Sequence, residues 1–281
     1  LTVAEPGYGE LHPDTLFSSR IAPPMIGLGL LEAIDETDLL VREDPQDSNV
    51  DGISGRANRV WDIASQQTVV GRFGWKAGQP NLRQQDAGAF AGDMGLSSSL
   101  FPADDCAPAQ HCDRYPDGGE FEVSDDIMDT VTFYSQHLAV PARRNLDHPA
   151  VAAGEQLFLA LGCSGCHTPS YTTGEHDSAA LSHQRIYPYT DLLLHDMGDG
   201  LADNRPEFLA NGHEWRTPPL WGLGYAGEVA SDDAYYLHDG RARTLLEAIL
   251  WHGGEAEAAK RSVIAMSSEE RARLIAFLES L

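Results

Sequence analysis

Residues 161–169 read Leu-Gly-Cys-Ser-Gly-Cys-His-Thr-Pro. The centre of this stretch is a Cys-x-x-Cys-His motif, the pattern that attaches a c-type haem. Two thiols separated by two residues can add to the two vinyl groups of a porphyrin. The next residue, His167, then lies beneath the iron and offers its imidazole as the proximal ligand. The motif therefore predicts a covalent haem c attached through Cys163 and Cys166 and ligated by His167.

The sequence on both sides of this motif predicts helices. Residues 151–161 carry apolar side chains at helical spacing and end just before the cysteines. Near the end of the chain, Ser267 and Glu270 form a capping-box pattern, and the apolar residues that follow them share one helical face. In cytochromes c a last helix of this kind crosses the first. We therefore expect a cytochrome c-like domain around the motif.

Two other uses of a Cys-x-x-Cys pair compete with haem attachment. A thioredoxin-like dithiol follows a β-strand and opens a helix, whereas here a helix precedes the pair and a histidine follows it. A zinc site would need two more ligands at similar spacing, and the sequence has no second Cys-x-x-Cys. A thiol/disulfide oxidoreductase that uses Cys163 and Cys166 is kept as an alternative. It is exclusive of haem attachment, because attachment consumes both thiols.

The charge of the chain limits its partners. The 281 residues include 19 Lys and Arg and 43 Asp and Glu, which gives a formal net charge of −24. Such a surface repels nucleic acid and anionic lipid but suits a basic redox partner. No apolar run approaches the roughly 18 residues that a membrane-spanning helix needs. The first residues show no signal-peptide pattern, and a mature exported form would also lack one.

Several longer stretches resemble one bacterial family. They lie at residues 27–34, 51–56, 71–77, 189–198, 214–224, 237–241 and 244–256. These stretches resemble the di-haem oxidoreductases described as thiol oxidoreductases or peroxidases, which are relatives of the di-haem cytochrome c peroxidases. The resemblance covers nearly the whole chain. It implies a peroxidase-like di-haem enzyme in which this haem transfers electrons, and a non-catalytic electron-transfer cytochrome c is the alternative.

The charge, the resemblance and the predicted haem together imply partners and a location. The expected partners are a redox partner protein or a small oxidant such as peroxide. Because haem c is attached outside the cytoplasm, we expect a bacterial periplasm or another extracytoplasmic site.

The second axial ligand of the iron lies further along the chain. Thr244 and Glu247 form a capping-box pattern that predicts a helix over residues 245–251, with His252 at its end. In the di-haem peroxidases the distal ligand follows such a helix, so the resemblance implies His252 here. A His/His pair gives a lower potential than a His/Met pair. The alternatives are ligation by Met197 or His195, or a His252 that only complements the helix dipole.

One basic residue precedes the helix at residues 245–251. Arg241 belongs to the Leu-His-Asp-Gly-Arg stretch that carries the family resemblance. A guanidinium forms strong paired hydrogen bonds with carboxylates, so we expect Arg241 to pair with a haem propionate. A purely structural role is the alternative.

An internal repeat relates the two halves of the chain. Residues 23–29 read Pro-Pro-Met-Ile-Gly-Leu-Gly, and residues 218–224 read Pro-Pro-Leu-Trp-Gly-Leu-Gly. The amphipathic run at residues 124–138 parallels residues 267–281. The repeat predicts two units, described next.

Residues 1–145 resemble the back part of a first cytochrome c-like domain with loop insertions, and residues 146–281 form the haem-bearing cytochrome c domain. The first unit has no Cys-x-x-Cys-His motif, so we expect a fragment or processed form. Met94 occupies the place of His252 in the repeat. We hypothesise that Met94 is a ligand of the missing haem, and the alternative is a methionine that fills a core gap.

An acidic loop presents oxygen atoms at alternate positions. Asp47, Asn49 and Asp51 precede Gly52, as at the start of a calcium loop. Asn58 stands where an EF-hand has a bidentate glutamate, so the alternative is an ordinary surface turn. The sequence predicts calcium as a second cofactor.

Loops dominate the rest of the chain. A disulfide between Cys106 and Cys112 and two free loop thiols both fit a segment rich in Pro, Asp and Ala. Strand patterns are few and short. We therefore expect a mainly α fold with long irregular loops.

Overall fold

Helices joined by long loops and short strands make up the fold. The computed structural model describes the chain except residues 1, 2, 6, 8, 104, 105, 107–109, 112, 113, 115, 117 and 230–233. The helices are α1 (Leu28–Glu32), α2 (Glu36–Leu40), α3 (Leu82–Met94), α4 (Asp125–His137), α5 (Pro149–Ala160), α6 (Ala226–Val229), α7 (Leu245–Trp251), α8 (Glu257–Ala265) and α9 (Ser268–Leu278). The strands are β1 (Arg59–Asp62), β2 (Gln67–Val70), β3 (Tyr171–Thr172), β4 (Arg185–Ile186), β5 (Leu194–Asp196) and β6 (Glu214–Arg216).

The strands pair only locally. Within the described residues each sheet has two antiparallel strands: β1 with β2, β3 with β4, and β5 with β6. The expectation of a helical fold with few, short strands is therefore confirmed. None of the helices in the described part of the chain combines the length and hydropathy needed to cross a bilayer.

The caps predicted from the sequence begin their helices. Ser267 accepts a hydrogen bond from the Glu270 amide, and Glu270 accepts one from the Ser267 amide, which confirms the capping box of α9. At α7, Thr244 accepts from the Glu247 amide at 3.1 Å. The carboxylate of Glu247, however, accepts from the Arg243 amide at 2.8 Å, one residue earlier than the capping box requires. Both helices begin where the local pattern predicts.

Helices α5 and α9 pack closely at Gly154, a residue of α5 that has no side chain. A Cβ atom on Gly154 would lie 2.0 Å from the carbonyl oxygen of Arg273. Beside this contact, the rings of Phe158 and Phe277 have their centroids 5.2 Å apart. Phe277 is fully buried. The contact therefore places the end of α5, and the Cys-x-x-Cys-His motif that follows it, against α9.

Backbone hydrogen bonds match between the two copies of the internal repeat. The Gly27 amide donates to the Leu138 carbonyl at 2.8 Å, and the Gly222 amide donates to the Leu281 carbonyl at 2.8 Å. Both glycines have positive φ, 68° and 74° respectively. Leu138 follows α4 and Leu281 follows α9. The repeat in the sequence is thus a repeat in the backbone.

The two copies of the repeat also contact each other reciprocally. A Cβ atom on Gly27 would lie 2.4 Å from the Trp221 ring, and one on Gly222 would lie 2.6 Å from the Ile26 side chain. One core cluster includes Leu31 from the first half and Trp221 from the second. The division into residues 1–145 and 146–281 stays a prediction.

The predicted disulfide lies partly outside the described residues. Cys106 is disulfide-bonded, and Cys112 belongs to the residues that are not described.

Asp86 is a buried carboxylate on α3. It is 7% exposed, and its Oδ1 atom accepts a hydrogen bond from the Ser135 hydroxyl at 3.3 Å. Its Oδ2 atom has no hydrogen-bond partner among the described residues. Burial raises the pKa of Asp86 from 3.8 to about 6, and the nearby charge of Glu32 adds to this shift. Ionised Asp86 therefore destabilises the folded chain.

We expect Asp86→Asn to stabilise the protein at pH 8. Because the folded-state pKa is raised, wild-type stability falls as the pH rises from 3.8 to about 6 and stays lower above that range. The variant should gain about 1–2 kcal/mol in the free energy of unfolding at pH 8. Urea unfolding at pH 8 and at pH 4 measures this gain, which should be lost at the lower pH. Asp93→Asn, on the exposed part of the same helix, is the matched control and should change little at either pH. An equal gain for both variants would contradict the assignment.

Candidate functional site

The Cys-x-x-Cys-His motif forms a short turn directly after α5. Gly162 adopts a left-handed conformation (φ 80°), and residues 163–165 form one turn of 3₁₀ helix. The His167 amide donates to the Cys163 carbonyl at 3.0 Å, which continues the turn. Cys163 and Cys166 are free and half-buried. Both sulfur atoms and the imidazole therefore belong to one compact segment.

One ring nitrogen of His167 is hydrogen-bonded to the backbone, and the other is available to bind a metal. Its Nδ1 atom lies 2.9 Å from the carbonyl oxygen of Tyr189, so Nδ1 carries the proton and donates it. Burial lowers the pKa of His167 to about 4, which keeps the ring neutral at pH 7. A neutral imidazole with a free Nε2 is the form that binds a metal.

His252 repeats this arrangement. It follows α7 directly, and its Nδ1 atom lies 2.8 Å from the carbonyl oxygen of Ala248. Burial lowers the pKa of His252 as well. A charge on His252 would lower the pKa of His167, so the two rings interact electrostatically. Ligation of one iron by both histidines stays a prediction.

The surroundings of His167 fit a porphyrin. The centroids of the His167 and Phe158 rings lie 6.2 Å apart, and Phe158 belongs to a core cluster that half-buried apolar side chains border: Leu161, Leu220, Leu223, Tyr236, Leu246, Ile249 and Met266. Two free thiols and two imidazoles with unbonded Nε2 atoms complete the donor set that haem c uses. The residues present therefore fit the group.

His195 is engaged on both ring nitrogens. Its Nε2 atom lies 2.9 Å from Asp191 Oδ2, and its Nδ1 atom lies 2.7 Å from Glu255 Oε2. Burial alone would lower the pKa of His195, but the hydrogen bonds with Asp191, Cys166 and Glu255 raise it well above its ordinary value. A protonated imidazole between two carboxylates has no nitrogen left for iron, which counts against His195 as the ligand.

Met197, the other alternative, lies beside the segment that follows His252. A Cβ atom on Gly253 would lie 2.9 Å from the Met197 carbonyl oxygen. Ligation by Met197 stays an untested alternative.

Arg241 has partners within the protein. Its guanidinium pairs with Asp239, with 2.7 Å between Arg241 Nη2 and Asp239 Oδ2, and it also hydrogen-bonds the Gly200 carbonyl. It lies over the Trp251 ring, 4.8 Å from the centroid. Its pairing with a haem propionate stays a prediction.

Met94 is exposed at the end of α3. The residue is 56% exposed, so the alternative of a methionine that fills a core gap is wrong. Its role as a ligand of a further haem stays a hypothesis.

The acidic loop binds its own backbone. Asp47 Oδ1 accepts from the Asp51 and Gly52 amides at 2.9 and 3.1 Å, and Asn49 Oδ1 accepts from the Asp51 amide at 3.0 Å. Asn58 is fully buried and bonds the Lys76 and Glu207 carbonyls. Across the described ranges, no group of three or more His, Cys, Asp or Glu residues could hold a metal ion. Calcium binding at Asp47, Asn49 and Asp51 stays a prediction.

Sequence reasoning missed the carboxylates around His195. The His195–Asp191 spacing was visible, but Glu255 lies 60 residues further along. An open cavity of about 570 Å³ borders Gly165, Asp191 and His195, next to the motif. No local sequence pattern predicts this cluster, because the fold of the loops brings together residues that are far apart in the sequence.

Comparisons with known proteins match one family model and several solved structures. The model of a family described as "Di-haem oxidoreductase, putative peroxidase" matches residues 9–281. Among solved structures, a chain of hydrazine synthase from Kuenenia stuttgartiensis, pressurized with 20 bar xenon, is 19% identical with a TM-score of 0.39. The match covers 58% of this chain and 57% of that chain. No curated protein matches the sequence.

Proposed function

The chain belongs to the di-haem oxidoreductase family, and from this premise we propose that it is a c-type haem oxidoreductase whose haem transfers electrons. Membership implies haem as the cofactor. In our proposal Cys163 and Cys166 bond the porphyrin, His167 is the proximal ligand and His252 is the distal ligand. When bound, the haem supplies one-electron oxidation and reduction.

The main support for this proposal is that both imidazoles are hydrogen-bonded through Nδ1 and carry no hydrogen bond at Nε2 among the described residues. His167 and His252 each bond a backbone carbonyl through Nδ1, at 2.9 and 2.8 Å. A metal-ligating histidine almost always donates its second ring nitrogen in this way, because the bond sets the tautomer and orients the ring. The carbonyls of Tyr189 and Ala248 thus hold each proton on Nδ1 and leave each Nε2 for iron.

Ligation by both His167 and His252 would favour electron transfer over catalysis at this site. Peroxide must reach an iron with an open position, and two histidine ligands would leave none. In a di-haem enzyme, peroxide chemistry would then belong to the second haem, or would require His252 to leave. A non-catalytic electron-transfer cytochrome c is the second candidate, and the same pair of histidines favours it.

The state of the thiols disfavours the thiol/disulfide alternative. Burial raises the pKa of Cys163 to about 11, and burial also raises the pKa of Cys166. Reactive dithiols have lowered pKa values, because the thiolate is the nucleophile. Thiols that stay protonated at pH 7 are poorly suited to redox exchange.

The first half of the repeat supports a second cytochrome c-like unit. Leu138 and Leu281 are equivalent in the repeat, so the residues four positions before them, Tyr134 and Phe277, are equivalent as well. Tyr134 is 64% exposed, whereas Phe277 is 0% exposed under α5. We take residues 1–145 as the back part of a first domain, in which no helix of the described residues covers Tyr134 on α4 as α5 covers Phe277 on α9, and residues 146–281 as the haem-bearing domain. Met94 is then the candidate ligand of the second haem.

The proposed partners follow from charge and chemistry. A net charge of −24 suits a basic redox protein as electron donor or acceptor. Peroxide is the proposed small oxidant. Because haem c is attached outside the cytoplasm, the proposed location is a bacterial periplasm or another extracytoplasmic site.

A spectrum of the exported, haem-loaded protein tests the proposal. We expect haem c bands in a reduced-minus-oxidised spectrum and a pyridine haemochrome of the covalent type. Near-infrared signals should identify His/His ligation, and His252→Met should convert them to the His/Met type with a higher reduction potential. A colourless native protein with free or disulfide-linked Cys163 and Cys166 would overturn the proposal. A His252→Met spectrum identical to the wild type would overturn the distal assignment alone.

A further inference from the structure

Glu255 anchors the segment that follows His252. Its carboxylate accepts hydrogen bonds from the Ser54 hydroxyl at 2.7 Å, the Ser54 amide at 3.0 Å and the Asp196 amide at 3.1 Å. A fourth bond, of 2.7 Å, joins it to His195 Nδ1. The Glu255 side chain is 9% exposed. All four contacts reach parts of the chain distant in sequence, so this carboxylate ties the segment after α7 to the loop at Ser54 and to β5.

The contact continues from Glu255 to the haem motif. His195 lies 2.7 Å from Glu255 Oε2 and 3.5 Å from the Sγ atom of Cys166. The other nitrogen of His195 is held by Asp191 at 2.9 Å, and Asp191 Oδ1 accepts from the Leu193 amide at 3.0 Å. The imidazole therefore cannot rotate without losing a charged partner. A line of polar contacts joins the segment after His252 to the residue next to His167.

Glycines bring the same segment against the end of β5. A Cβ atom on Gly254 would lie 2.2 Å from the Asp196 carbonyl oxygen, and one on Gly198 would lie 2.8 Å from the Gly254 amide. Gly254 also has a positive φ of 53°. The backbone after His252 is therefore pressed onto β5, with the Glu255 carboxylate holding it there.

We propose that Glu255 is a positioning residue that keeps His252 in place as the distal ligand, through its bonds to Ser54, Asp196 and His195. This inference rests on the proposed His167/His252 ligation. His252 lies three residues before Glu255, so the anchor limits how far its imidazole can withdraw. Without the anchor, the segment after α7 is free to move away from β5, and the sixth position of the iron opens more often to a small external ligand.

The test is the rate at which cyanide binds to the ferric, haem-loaded chain. Cyanide enters only when His252 leaves, so the rate reports the opening of the distal side. We expect Glu255→Ala to bind cyanide on the order of tenfold faster, the factor that loss of one charge-assisted hydrogen bond gives. Glu255→Gln should show a smaller increase, because its remaining carbonyl oxygen still accepts some of the hydrogen bonds that Glu255 accepts from Ser54 and Asp196.

Glu257→Gln is the matched control. It changes the same charge two residues further along, where Glu257 pairs with Lys260 and Arg261 on the surface of α8. Its cyanide rate should equal that of the wild type. Stability measured in parallel separates the two roles, because a merely structural anchor would lower the free energy of unfolding without changing ligand exchange.

The outcomes separate this inference from the proposed function. If the wild type carries haem c but lacks a His/His signature, the ligation proposal fails before any variant is made. If the wild type has that signature and the Glu255 variants bind cyanide at its rate, the positioning role is overturned. Should Glu255→Ala fail to fold, Glu255→Gln and Ser54→Ala decide the question, and unchanged rates in both overturn it.

Discussion

Replacing Cys163 and Cys166 together by alanine is expected to abolish covalent haem. In our proposal, the thioether bonds of these two cysteines are the covalent link between the porphyrin and the chain. Both cysteines are free and half-buried in the turn after α5. We expect the pyridine haemochrome of the denatured, acid-extracted double variant to fall to background. Each single variant should keep part of the signal, because one thioether bond remains.

Ser164→Ala provides the control for this experiment. Ser164 lies between the two cysteines in the same 3₁₀ turn and takes no part in attachment. Its haem content should match that of the wild type when both are exported by the same haem-loading host. Covalent haem retained by the double variant would show that attachment occurs elsewhere in the chain, and the assignment of the motif would be wrong.

Gly154→Ala should have the largest effect on stability. The added Cβ atom would lie 2.0 Å from the Arg273 carbonyl oxygen and 2.7 Å from the Phe277 Cβ atom. Neither neighbour is the end of a flexible side chain, so α5 and α9 must move apart. We expect a loss of about 2–3 kcal/mol in the free energy of unfolding, measured by urea titration of the haem-loaded protein.

The same substitution at Gly92 should have the opposite sign. Gly92 lies inside α3, and a Cβ atom there meets nothing within 4 Å. Since alanine favours the helix over glycine, Gly92→Ala should gain about 0.5–1 kcal/mol. Equal effects at Gly92 and Gly154 would mean that helix propensity, and not the contact between α5 and α9, controls both positions.

Gly154 and the two cysteines lie in one packing arrangement of α5 and α9. The close approach at Gly154 holds α5 against α9, and α5 ends directly before the turn that carries Cys163. Separation of these helices would shift the cysteines relative to α7 and its terminal His252. We therefore expect the stability of this packing and the integrity of the haem ligation to be coupled in the folded protein.

Local patterns in the sequence determined the elements that carry the site. The capping box at Ser267 and Glu270, the helix before His252 and the turn at Cys163 each depend on residues within a few positions of one another. Such signals are readable because their hydrogen bonds close within a single turn. The internal repeat could also be read from the sequence. The equivalent hydrogen bonds that the Gly27 and Gly222 amides donate follow from it.

Tertiary structure alone decided which groups surround those elements. The bonds of Glu255 to Ser54 span 201 residues, and nothing near either residue in the sequence indicates the other. The same holds for the engagement of His195 on both nitrogens, which counts against it as a ligand, and for the exposure of Met94. These features depend on the path of long loops between short elements. That path is set by the packing of the whole chain, so the candidate ligands could be predicted from the motifs while the contacts of Glu255 and His195 could not.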